Sequence, residues 1–500
     1  MTEGYFEASA GGTGEVTGTR WRIVSAAALA FVVAMLASSS PALAGSADAF
    51  RPSTVTDVVV LEAPGAGSAP EGATRRVGGR VLRELPIVRG FSARIPLGGL
   101  GQLRRVPSVR SVHPDRPFAL SAADAVPGDS GVGLEQVRAA IGADSNPDAG
   151  AGVDIALVDS GITPVGPLAE AGKVVDGPDF SADANDPRLR NLDAFGHGTH
   201  LAGIIAGSAG AAGPGGIAPG GRLVNVKVAA HDGSTSLSSL LSGIDWVVRN
   251  RHRDGLDIRV LNLSFGADSD GSYRSDPLAA AVEQAWQRGI VVVTAAGNGG
   301  ARAGGLDSPA YDPFVLAVGA EDMMGSADVS DDVAADFSSA GSADRMPDVV
   351  APGVGIVSVR VPGGVLDEAF PQARIGSGGF RGSGTSQSAA VVSGAAARLL
   401  QARPELDPDE VKGLLRSTAR SIGAEATIEG RGLIDIGAAT GAATPRSDQR
   451  FPRASGGAWR GRAALGVEFA VERSSATRWS ATRWSATRWS GSEWGAEPTP

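Results

Sequence analysis

Cysteine is absent from all 500 residues. Disulfide bonds and thiolate metal ligands are therefore excluded, and stability must come from a large hydrophobic core, which a chain of this length can build. Basic residues are also fewer than acidic ones: the chain has 45 Lys and Arg and 54 Asp and Glu, which gives a formal net charge of −9. With that balance, nucleic acid is not expected to be the main partner.

A membrane-spanning run is lacking at the start of the chain. The apolar run Ile23–Ala37 is shorter than the ~20 residues that a spanning helix needs. Two arginines precede it, and Pro41-Ala42-Leu43-Ala44 offers a small-residue cleavage site before Gly45. This pattern is typical of a secretory signal peptide over residues 1–44. The sequence therefore predicts secretion, with an uncleaved N-terminal anchor as the alternative.

The stretch Gly382–Ala390 joins a glycine-rich turn to a helix of small residues that continues through Leu400. Such a turn places a hydroxyl in the first turn of the helix, facing free N–H groups and the positive end of the helix dipole. Ser386 is therefore a candidate nucleophile. Because Ser and Thr also cap helices, the motif alone leaves an ordinary cap or loop open. It is not the G-x-S-x-G elbow of the α/β-hydrolases, since Ser388 stands where that motif has glycine.

A base and an orienting carboxylate are found upstream. The apolar run Asp154–Val158 predicts a buried parallel strand with Asp159 at its carboxyl end, although a lone Asp there is usually a turn former. His197 begins a second small-residue helix in the motif Gly196–His200. With only five histidines in the chain, His197 and His200 could instead be metal ligands, but neither cysteine nor an H-x-x-x-H pattern supports this.

These motifs occur in the order Asp, His, Ser, one of the known orders of convergent catalytic triads. Their surroundings resemble the subtilisin-like serine protease (subtilase) family. Four further segments match that family: the strand that pairs with substrate, the strand ending in the oxyanion asparagine, the segment after it and the lead-in to the serine (Leu261–Gly266, Val291–Asn298, Ser308–Ala310, Asp348–Gly353). The resemblance covers about residues 150–440.

The resemblance implies a serine endopeptidase that acts on protein or peptide substrates and needs no cofactor for its chemistry. Ser386 would attack the scissile carbonyl, His197 would move the proton, and Asp159 would orient the imidazole. Asn298 and the backbone N–H of Ser386 would bind the oxyanion. His200 competes for the role of base, but the resemblance assigns catalysis to the first histidine of the motif. The substrate-pocket walls would be Ser264, Phe265, Gly266, Ala295, Ala296 and Gly297.

Strands alternate with helices along residues 131–443, which predicts a parallel sheet with helices on both faces and ligands beyond its carboxyl edge. Asp159 and Asn298 both close predicted strands and therefore belong to that edge. The resemblance implies an α/β fold, a subtilisin-like three-layer parallel sheet. The predicted strands are Ile155–Val158, Leu223–Val228, Arg259–Leu263, Ile290–Thr294 and Val315–Val318; the predicted helices are Ser236–Arg251 and Leu278–Arg288, the latter capped by Asp276-Pro277.

A smaller α+β domain is predicted within residues 45–130. Its pattern indicates a split β-α-β plan with strands Val55–Glu62, Gly78–Leu85, Gly90–Pro96 and Val109–Asp115 and a short helix within Leu97–Val106. This plan resembles the ferredoxin-like propeptide of subtilases. The resemblance implies an intramolecular inhibitor that assists folding and occupies the cleft until cleavage between Leu120 and Gly133. An α+β domain with neither role is the alternative.

One departure from the family pattern follows the nucleophile. Subtilases commonly have Met, a small residue, any residue, Pro, His and Val there, whereas this chain has Gln387–Val392. The missing Pro and His would lie one turn into the helix, so altered packing is expected rather than lost chemistry. Helix geometry would improve without a proline at Ala390.

Specificity and metal binding are weakly determined. Small, neutral pocket walls favour a large apolar side chain before the cut bond, but Asp268 and Asp270 lie just beyond them, so a basic side chain stays open. Structural calcium is common in the family, and the acidic loop Asp179–Asp193 could hold one ion, although acidic loops are more often only solvated. No metal ligand is assigned.

The chain from Thr444 onward is rich in Gly, Ala, Ser and Arg and holds three copies of Ser-Ala-Thr-Arg-Trp between Ser475 and Trp489, with a looser fourth ending at Trp494. A five-residue period fits neither helix nor strand, which predicts a disordered tail over 444–500. Alternating Trp and Arg would suit contact with the cell envelope. The predicted function is a secreted endopeptidase made as a zymogen; the alternative is an inactive protein that keeps the fold for binding or scaffolding.

Overall fold

The computed structural model describes residues 54–120, 131–210, 215–267, 271–302, 304–446 and 449–457. The predicted signal segment and the Ser-Ala-Thr-Arg-Trp repeats lie outside the described residues. None of the helices in the described ranges combines the length and the hydrophobicity that a membrane span requires.

The N-terminal domain packs an antiparallel sheet against two helices. Its elements are β1 (Val55–Glu62), α1 (Ala69–Arg76), β2 (Arg80–Leu85), β3 (Gly90–Pro96), α2 (Leu100–Leu103) and β4 (Val109–Pro114). The strand order β2-β3-β1-β4 is the ferredoxin-like plan that the sequence predicts. The sequence pattern does not predict α1, because only Pro70, Ala73 and Thr74 of this helix are buried and no apolar stripe marks it.

The elements after β4 form the peptidase domain and include both strands and helices. In chain order they are β5 (Pro117–Leu120), α3 (Leu134–Ala140), β6 (Asp154–Asp159), β7 (Val174–Asp179), α4 (His197–Ala206), β8 (Arg222–Lys227), β9 (Ser234–Ser236), α5 (Leu237–Asn250), β10 (Ile258–Leu263), β11 (Phe265–Gly266), α6 (Pro277–Gln287), β12 (Val291–Ala295), β13 (Leu316–Asp322), β14 (Val333–Ala334), β15 (Val349–Pro352), β16 (Ile356–Val359), α7 (Val365–Ala369), β17 (Arg374–Ile375), β18 (Gly379–Gly382), α8 (Thr385–Ala402), α9 (Pro408–Ser417), α10 (Ala426–Glu429) and α11 (Ile436–Gly441).

The central sheet has the order β7-β8-β6-β10-β12-β13, with β15 parallel and β14 antiparallel to β13. The inner strands are continuous buried runs, as expected where both faces of a parallel sheet are covered. All five strands predicted for this domain are present. The sequence misses β7, because Gly177 and Pro178 within it have the composition of a turn.

Helices cover both faces of the central sheet. On one face, α8 packs against β10, β12 and β13, and it also contacts α4. Helices α5 and α6 pack against each other, and they contact β6 and β12 respectively. Both predicted helix starts are capped, since Ser236 Oγ accepts from Ser239 N (3.3 Å) and Asp276 Oδ1 accepts from Leu278 N (2.8 Å). The predicted α/β fold with helices on both faces of a parallel sheet is confirmed.

The predicted site residues lie along one edge of this sheet. Strands β6 and β12 both run parallel to β10, so their carboxyl ends share an edge. Asp159 is the last residue of β6, and Asn298 follows β12 by three residues. The helices α4 and α8 begin with His197 and Thr385.

The described part of the predicted tail does not behave as a separate, unstructured segment. Residues 449–457 lie against the peptidase domain, where Tyr273 Oη donates to Pro452 O (2.6 Å) and Ser455 N donates to Arg274 O (2.9 Å). The predicted disorder from Thr444 onward is therefore wrong for residues 449–457, which pack on the peptidase domain.

Candidate active site

Asp159 and His197 form a buried pair. The Nδ1 atom of His197 lies 2.9 Å from Asp159 Oδ1, and both side chains are fully buried. Gly198 permits this approach, since a Cβ there would collide with the carbonyl oxygen of Gly161 and lie 3.1 Å from Asp159 Oδ1. A carboxylate on Nδ1 orients the imidazole and leaves Nε2 for proton transfer.

A second carboxylate supports this pair. Asp193 accepts hydrogen bonds from Gly196 N and Thr199 N (both 2.7 Å), so it holds the start of α4 that carries the histidine. The hydroxyl of Ser160 lies between the two carboxylates, 2.9 Å from Asp193 Oδ1 and 3.1 Å from Asp159 Oδ1. Burial raises the pKa of Asp193, and the nearby Asp159 adds to this, while the N–H bonds work against it.

Sequence reasoning missed this role of Asp193 and placed it in an acidic loop. The available signal was an Asp four residues before His197 at a helix start, where short acidic side chains commonly cap free N–H groups. Its contact with Ser160 had no local signal, because it joins residues 33 positions apart.

Ser386 is the second residue of α8 and is fully buried. The helix is buried along most of its length and packs against α4, so Ser386 and His197 occupy the first turns of two adjoining helices. Ser388 Oγ donates to Ala351 O (2.9 Å) and fastens this first turn to β15. The arrangement places the hydroxyl at the positive end of a helix, as the sequence predicts.

The side-chain amide of Asn298 has a defined orientation. Its Oδ1 accepts from both the backbone N and the Oγ1 of Thr385, each at 2.9 Å. The opposite end, Nδ2, is buried and has no hydrogen-bond partner among the described residues. A buried donor without an acceptor is costly unless something else binds there. An oxyanion is the partner that such a preoriented donor suits.

One side of the cleft is a β-ladder. In it, β5 lies between β11 and β9 and is antiparallel to both. The register pairs Leu120 with Phe265 and Phe118 with Thr235. The predicted pocket residues Ser264, Phe265 and Gly266 thus lie in or next to a strand that binds extended backbone. Ser264 Oγ is fixed by Asn262 Nδ2 at 3.1 Å.

The other predicted wall follows β12. Ala295 and Ala296 are fully buried, and Gly297 N donates to Thr385 Oγ1 at 3.3 Å. A Cβ on Gly297 would lie 2.7 Å from the Cγ and Oδ2 of Asp307, and its φ of +115° also favours glycine. The structure therefore adds a carboxylate, Asp307, beside the wall that the sequence describes as neutral. Asp268 and Asp270 lie outside the described residues.

The contacts of His200 do not suit a catalytic base. Its Nε2 lies 3.1 Å from the carbonyl oxygen of Phe380, and the residue is fully buried. Burial lowers the pKa of His200 to about 3, so its ring is neutral at ordinary pH. This fits the assignment of proton transfer to His197.

The acidic loop that the sequence offers for calcium is bound to protein donors. Asp179 Oδ1 accepts from the N and Oγ of Ser181 (2.8 and 2.7 Å). Asp183 lies 3.1 Å from the Lys227 ammonium and 2.8 Å from His231 Nδ1. No group of three or more acidic or histidine ligands occurs in the described part of the chain. Calcium binding by this loop therefore stays a prediction, and Asp179 and Asp183 already bind protein donors.

Comparison with known proteins supplies an independent view of the chain. Residues 150–455 match the profile of the subtilase family. Serine protease AprX of Bacillus subtilis (strain 168) is 39% identical over 277 residues, or 54% of this chain and 61% of AprX. Subtilisin E of the same organism is 34% identical over 364 residues, or 72% of this chain and 83% of subtilisin E.

A solved structure with a similar fold is that of fervidolysin from Fervidobacterium pennivorans, described as a keratinolytic enzyme related to subtilisin. The TM-score is 0.61 at 24% sequence identity, over 79% of this chain and 63% of fervidolysin. This chain therefore spans about three fifths of the length of AprX and of fervidolysin.

Proposed function

Because this chain belongs to the subtilase family, a family of serine endopeptidases, we propose that it is a secreted endopeptidase made as a zymogen with an N-terminal propeptide. Protein or peptide chains are its substrates, and the chemistry needs no cofactor. The observation that carries the proposal is the buried Asp159–His197 hydrogen bond, found on the same sheet edge as the Asn298 donor and the start of α8.

The proposed mechanism follows from these groups. Ser386 Oγ attacks the scissile carbonyl while His197 Nε2 takes the hydroxyl proton and later delivers it to the leaving amine. Asp159 keeps the proton of the imidazole on Nδ1 and stabilises the imidazolium. Asn298 Nδ2 and the backbone N–H of Ser386 donate to the oxygen on which negative charge develops. Water then repeats the cycle on the acyl-enzyme.

The contacts of β5 support the zymogen part of the proposal. This strand continues directly from the N-terminal domain and occupies the ladder in which a substrate backbone would bind. Such occupation blocks the cleft for other chains. The proposed cut lies between Leu120 and Gly133. Near the end of that interval, Val132 donates its N–H to Gly355 O at 2.8 Å and so binds outside the ladder of β5.

Ion pairs and caps hold the N-terminal domain on α5 and α6. Asp115 accepts from the N and Oγ of Ser238 at the start of α5 (2.8 and 2.7 Å). Arg116 pairs with Asp276, the cap of α6, at 2.9 Å. Negative charge at the start of a helix is stabilising, so Asp115 recognises the α5 terminus specifically. These contacts favour an inhibitor role over an unrelated α+β domain.

The test is intact mass of the secreted protein, wild type beside Ser386→Ala. The proposal expects wild type to lose both the signal segment and the N-terminal domain, up to a point between residues 120 and 133, while Ser386→Ala retains the N-terminal domain. Retention in both would indicate an inactive protein or dependence on another protease. Loss in both would show that another enzyme performs the cut, and a peptide-hydrolysis assay would then decide on activity.

Export and envelope contact are also part of the proposal. The signal pattern over residues 1–44 and the Trp and Arg repeats carry them. Deletion of residues 458–500 should release enzyme from envelope fractions while leaving the packed residues 449–457 in place. Unchanged fractionation would contradict the envelope contact.

A further inference from the structure

The C-terminal strap, residues 449–457, begins beside α9 and the segment before β13. Gln449 Nε2 donates to Asp409 Oδ1 (2.9 Å) and to Phe314 O (3.0 Å). The ring of Phe451 packs edge-to-face on that of Phe314, with centroids 5.8 Å apart. These contacts anchor the beginning of the strap to α9 and to the segment before β13.

The strap then follows α6 toward its N-terminus. Tyr273 Oη donates to Pro452 O (2.6 Å), and Ala454 N donates to Glu283 Oε1 (2.6 Å). Burial raises the pKa of Glu283 to about 7, and the N–H of Ala454 opposes this by binding the carboxylate. The middle of the strap is thus fixed by directed bonds rather than by apolar contact alone.

The end of the strap meets the N-terminal domain. Ser111 Oγ in β4 donates to Gly456 O at 3.0 Å, in a buried contact between residues 345 positions apart. Gly456 is buried with a φ of +58°, and a Cβ there would lie 2.5 Å from Leu61 Cδ1 in β1. The strap backbone therefore fits closely against two strands of that domain.

His113 extends this contact. Its Nε2 lies 2.8 Å from Ser111 Oγ, and since the hydroxyl proton is donated to Gly456, His113 must be the donor to the hydroxyl. Burial lowers the pKa of His113 to about 4, so this donor is the neutral ring with its proton on Nε2. A chain of hydrogen bonds thus runs from the N-terminal domain into the strap.

We propose that the C-terminal strap is part of the surface that binds the propeptide, and that it slows release of the propeptide from the peptidase domain. The partner is the chain's own N-terminal domain, recognised through Ser111 and Leu61. The naming of that domain as a propeptide rests on the proposed function. The strap is fastened to the peptidase domain by its first six residues, so its end acts as a fixed part of the docking site.

The size of the effect follows from the lost contacts. One buried hydrogen bond contributes about 0.5–1.5 kcal/mol net, which corresponds to roughly tenfold in an equilibrium constant at the upper end. Loss of the strap contact should therefore loosen the N-terminal domain on the order of tenfold without unfolding the peptidase domain.

Hydrogen exchange in the uncut chain tests the contact directly. In a Ser386→Ala background, Gly456→Val places a side chain against Leu61, and Gly457→Val is the matched control, because a Cβ there has only the strap's own Ser455 Oγ as a close neighbour (3.0 Å). We expect amides of β1 and β4 to exchange about tenfold faster in Gly456→Val than in the control, with α8 unchanged. Equal exchange in both variants would overturn the proposal.

A second variant guards against misfolding of Gly456→Val. Ser111→Ala removes the bond to the strap from the other side and should also speed exchange in β1 and β4 in the intact chain. Its effect should be smaller once residues 449–500 are deleted, because only the bond from His113 to Ser111 then remains to be lost. An undiminished effect after the deletion would show that Ser111 acts only within its own domain and would overturn the proposal.

In the active chain, the variants should shorten the lag between propeptide cleavage and full peptidase activity, and less cleaved propeptide should coelute with the enzyme. If wild type neither cuts itself nor hydrolyses peptides, the proposed function fails, whereas the exchange comparison in the uncut chain still decides whether the strap holds the N-terminal domain.

Discussion

Thr385 holds Asn298 with two hydrogen bonds, from its backbone N and its Oγ1 to the same Oδ1 atom, each at 2.9 Å. Thr385 Oγ1 also accepts from Gly297 N at 3.3 Å. The residue before the proposed nucleophile thus orients the proposed oxyanion donor and joins it to the predicted wall of the substrate pocket. An amide that is gripped at its oxygen presents its N–H groups to the cleft without further reorganisation.

We therefore predict that Thr385→Val lowers kcat about tenfold with little change in KM, because the backbone bond remains but the hydroxyl grip is lost. Thr385→Ser, the matched control, keeps the hydroxyl and should retain activity. Asn298→Ala should cost more, on the order of 10²–10³ in kcat, the range measured for one such donor in a subtilisin. Equal kcat in Thr385→Val and Thr385→Ser would contradict the orienting role. Steady-state hydrolysis of a peptide substrate provides the measurement.

Asp307 leads to a prediction on specificity. Its carboxylate lies beside Gly297, which belongs to the predicted wall of the pocket for the side chain before the cut bond. A negative charge there should favour substrates with Lys or Arg before the cut bond over substrates with Leu or Phe. The Asp307 carboxylate would pair with the cationic side chain once that side chain leaves water. We predict that Asp307→Asn lowers kcat/KM for basic substrates about tenfold and leaves apolar substrates nearly unchanged.

Paired peptides that differ only in that side chain provide the measurement, and Asp322→Asn, which changes the last residue of β13, is the control. A uniform change for both peptide classes would show that Asp307 acts on the pocket's structure and not on charge selection.

Glu321 leads to a prediction on pH dependence. Its side chain is fully buried, and neither carboxylate oxygen has a hydrogen-bond partner in the described ranges. Burial raises the pKa of Glu321 well above its usual value, and the neighbouring Asp332 adds to this; the pKa of Asp332 itself is raised to about 6. Above the ordinary pKa of a glutamate, the folded state therefore keeps a proton that the unfolded state releases. The free energy of unfolding falls as the pH rises from that ordinary pKa to the raised pKa of the folded state.

Glu321→Gln cannot ionise and should raise the melting temperature more at pH 8 than at pH 4. A gain of about 2–4 °C per kcal/mol is expected for a domain of roughly 150–250 residues, and somewhat less for a larger one. Thermal unfolding should be followed in a Ser386→Ala background to prevent self-digestion, with Glu368→Gln, a change at an exposed residue of α7, as the control. A gain that is the same at both pH values would contradict the buried ionisation.

Gln387, which follows the proposed nucleophile, leads to a prediction on stability. The residue is fully buried, and both polar atoms of its amide lack partners among the described residues. An unsatisfied buried amide costs about 1–3 kcal/mol, and an apolar side chain of similar shape removes that cost. We predict that Gln387→Met raises the melting temperature of the Ser386→Ala protein, whereas Gln387→Glu lowers it. A lower melting temperature in Gln387→Met would show that the amide is satisfied by bound water.

Local patterns in the sequence were sufficient for the elements that carry the predicted site. The sequence pattern places Asp159 and Asn298 at the ends of apolar runs and His197 and Ser386 at the starts of small-residue helices. The structure has these boundaries to within a few residues. Parallel strands send their carboxyl ends to one edge, so these positions had to meet once the sheet formed. The roles assigned to these four residues stay predictions.

Only the tertiary structure decided the rest, because those contacts join residues that are distant along the chain and have no periodic signature. Asp193 binds Ser160, which lies 33 positions earlier in the chain, and Asp307, which the sequence analysis does not assign to the site, lies against Gly297. The low-complexity composition of the strap predicts disorder. Its structure depends instead on hydrogen bonds to Tyr273, Glu283 and Ser111, and no repeat within the strap indicates them. Hydrophobic periodicity specifies which elements form, whereas packing alone determines which polar groups they bring together.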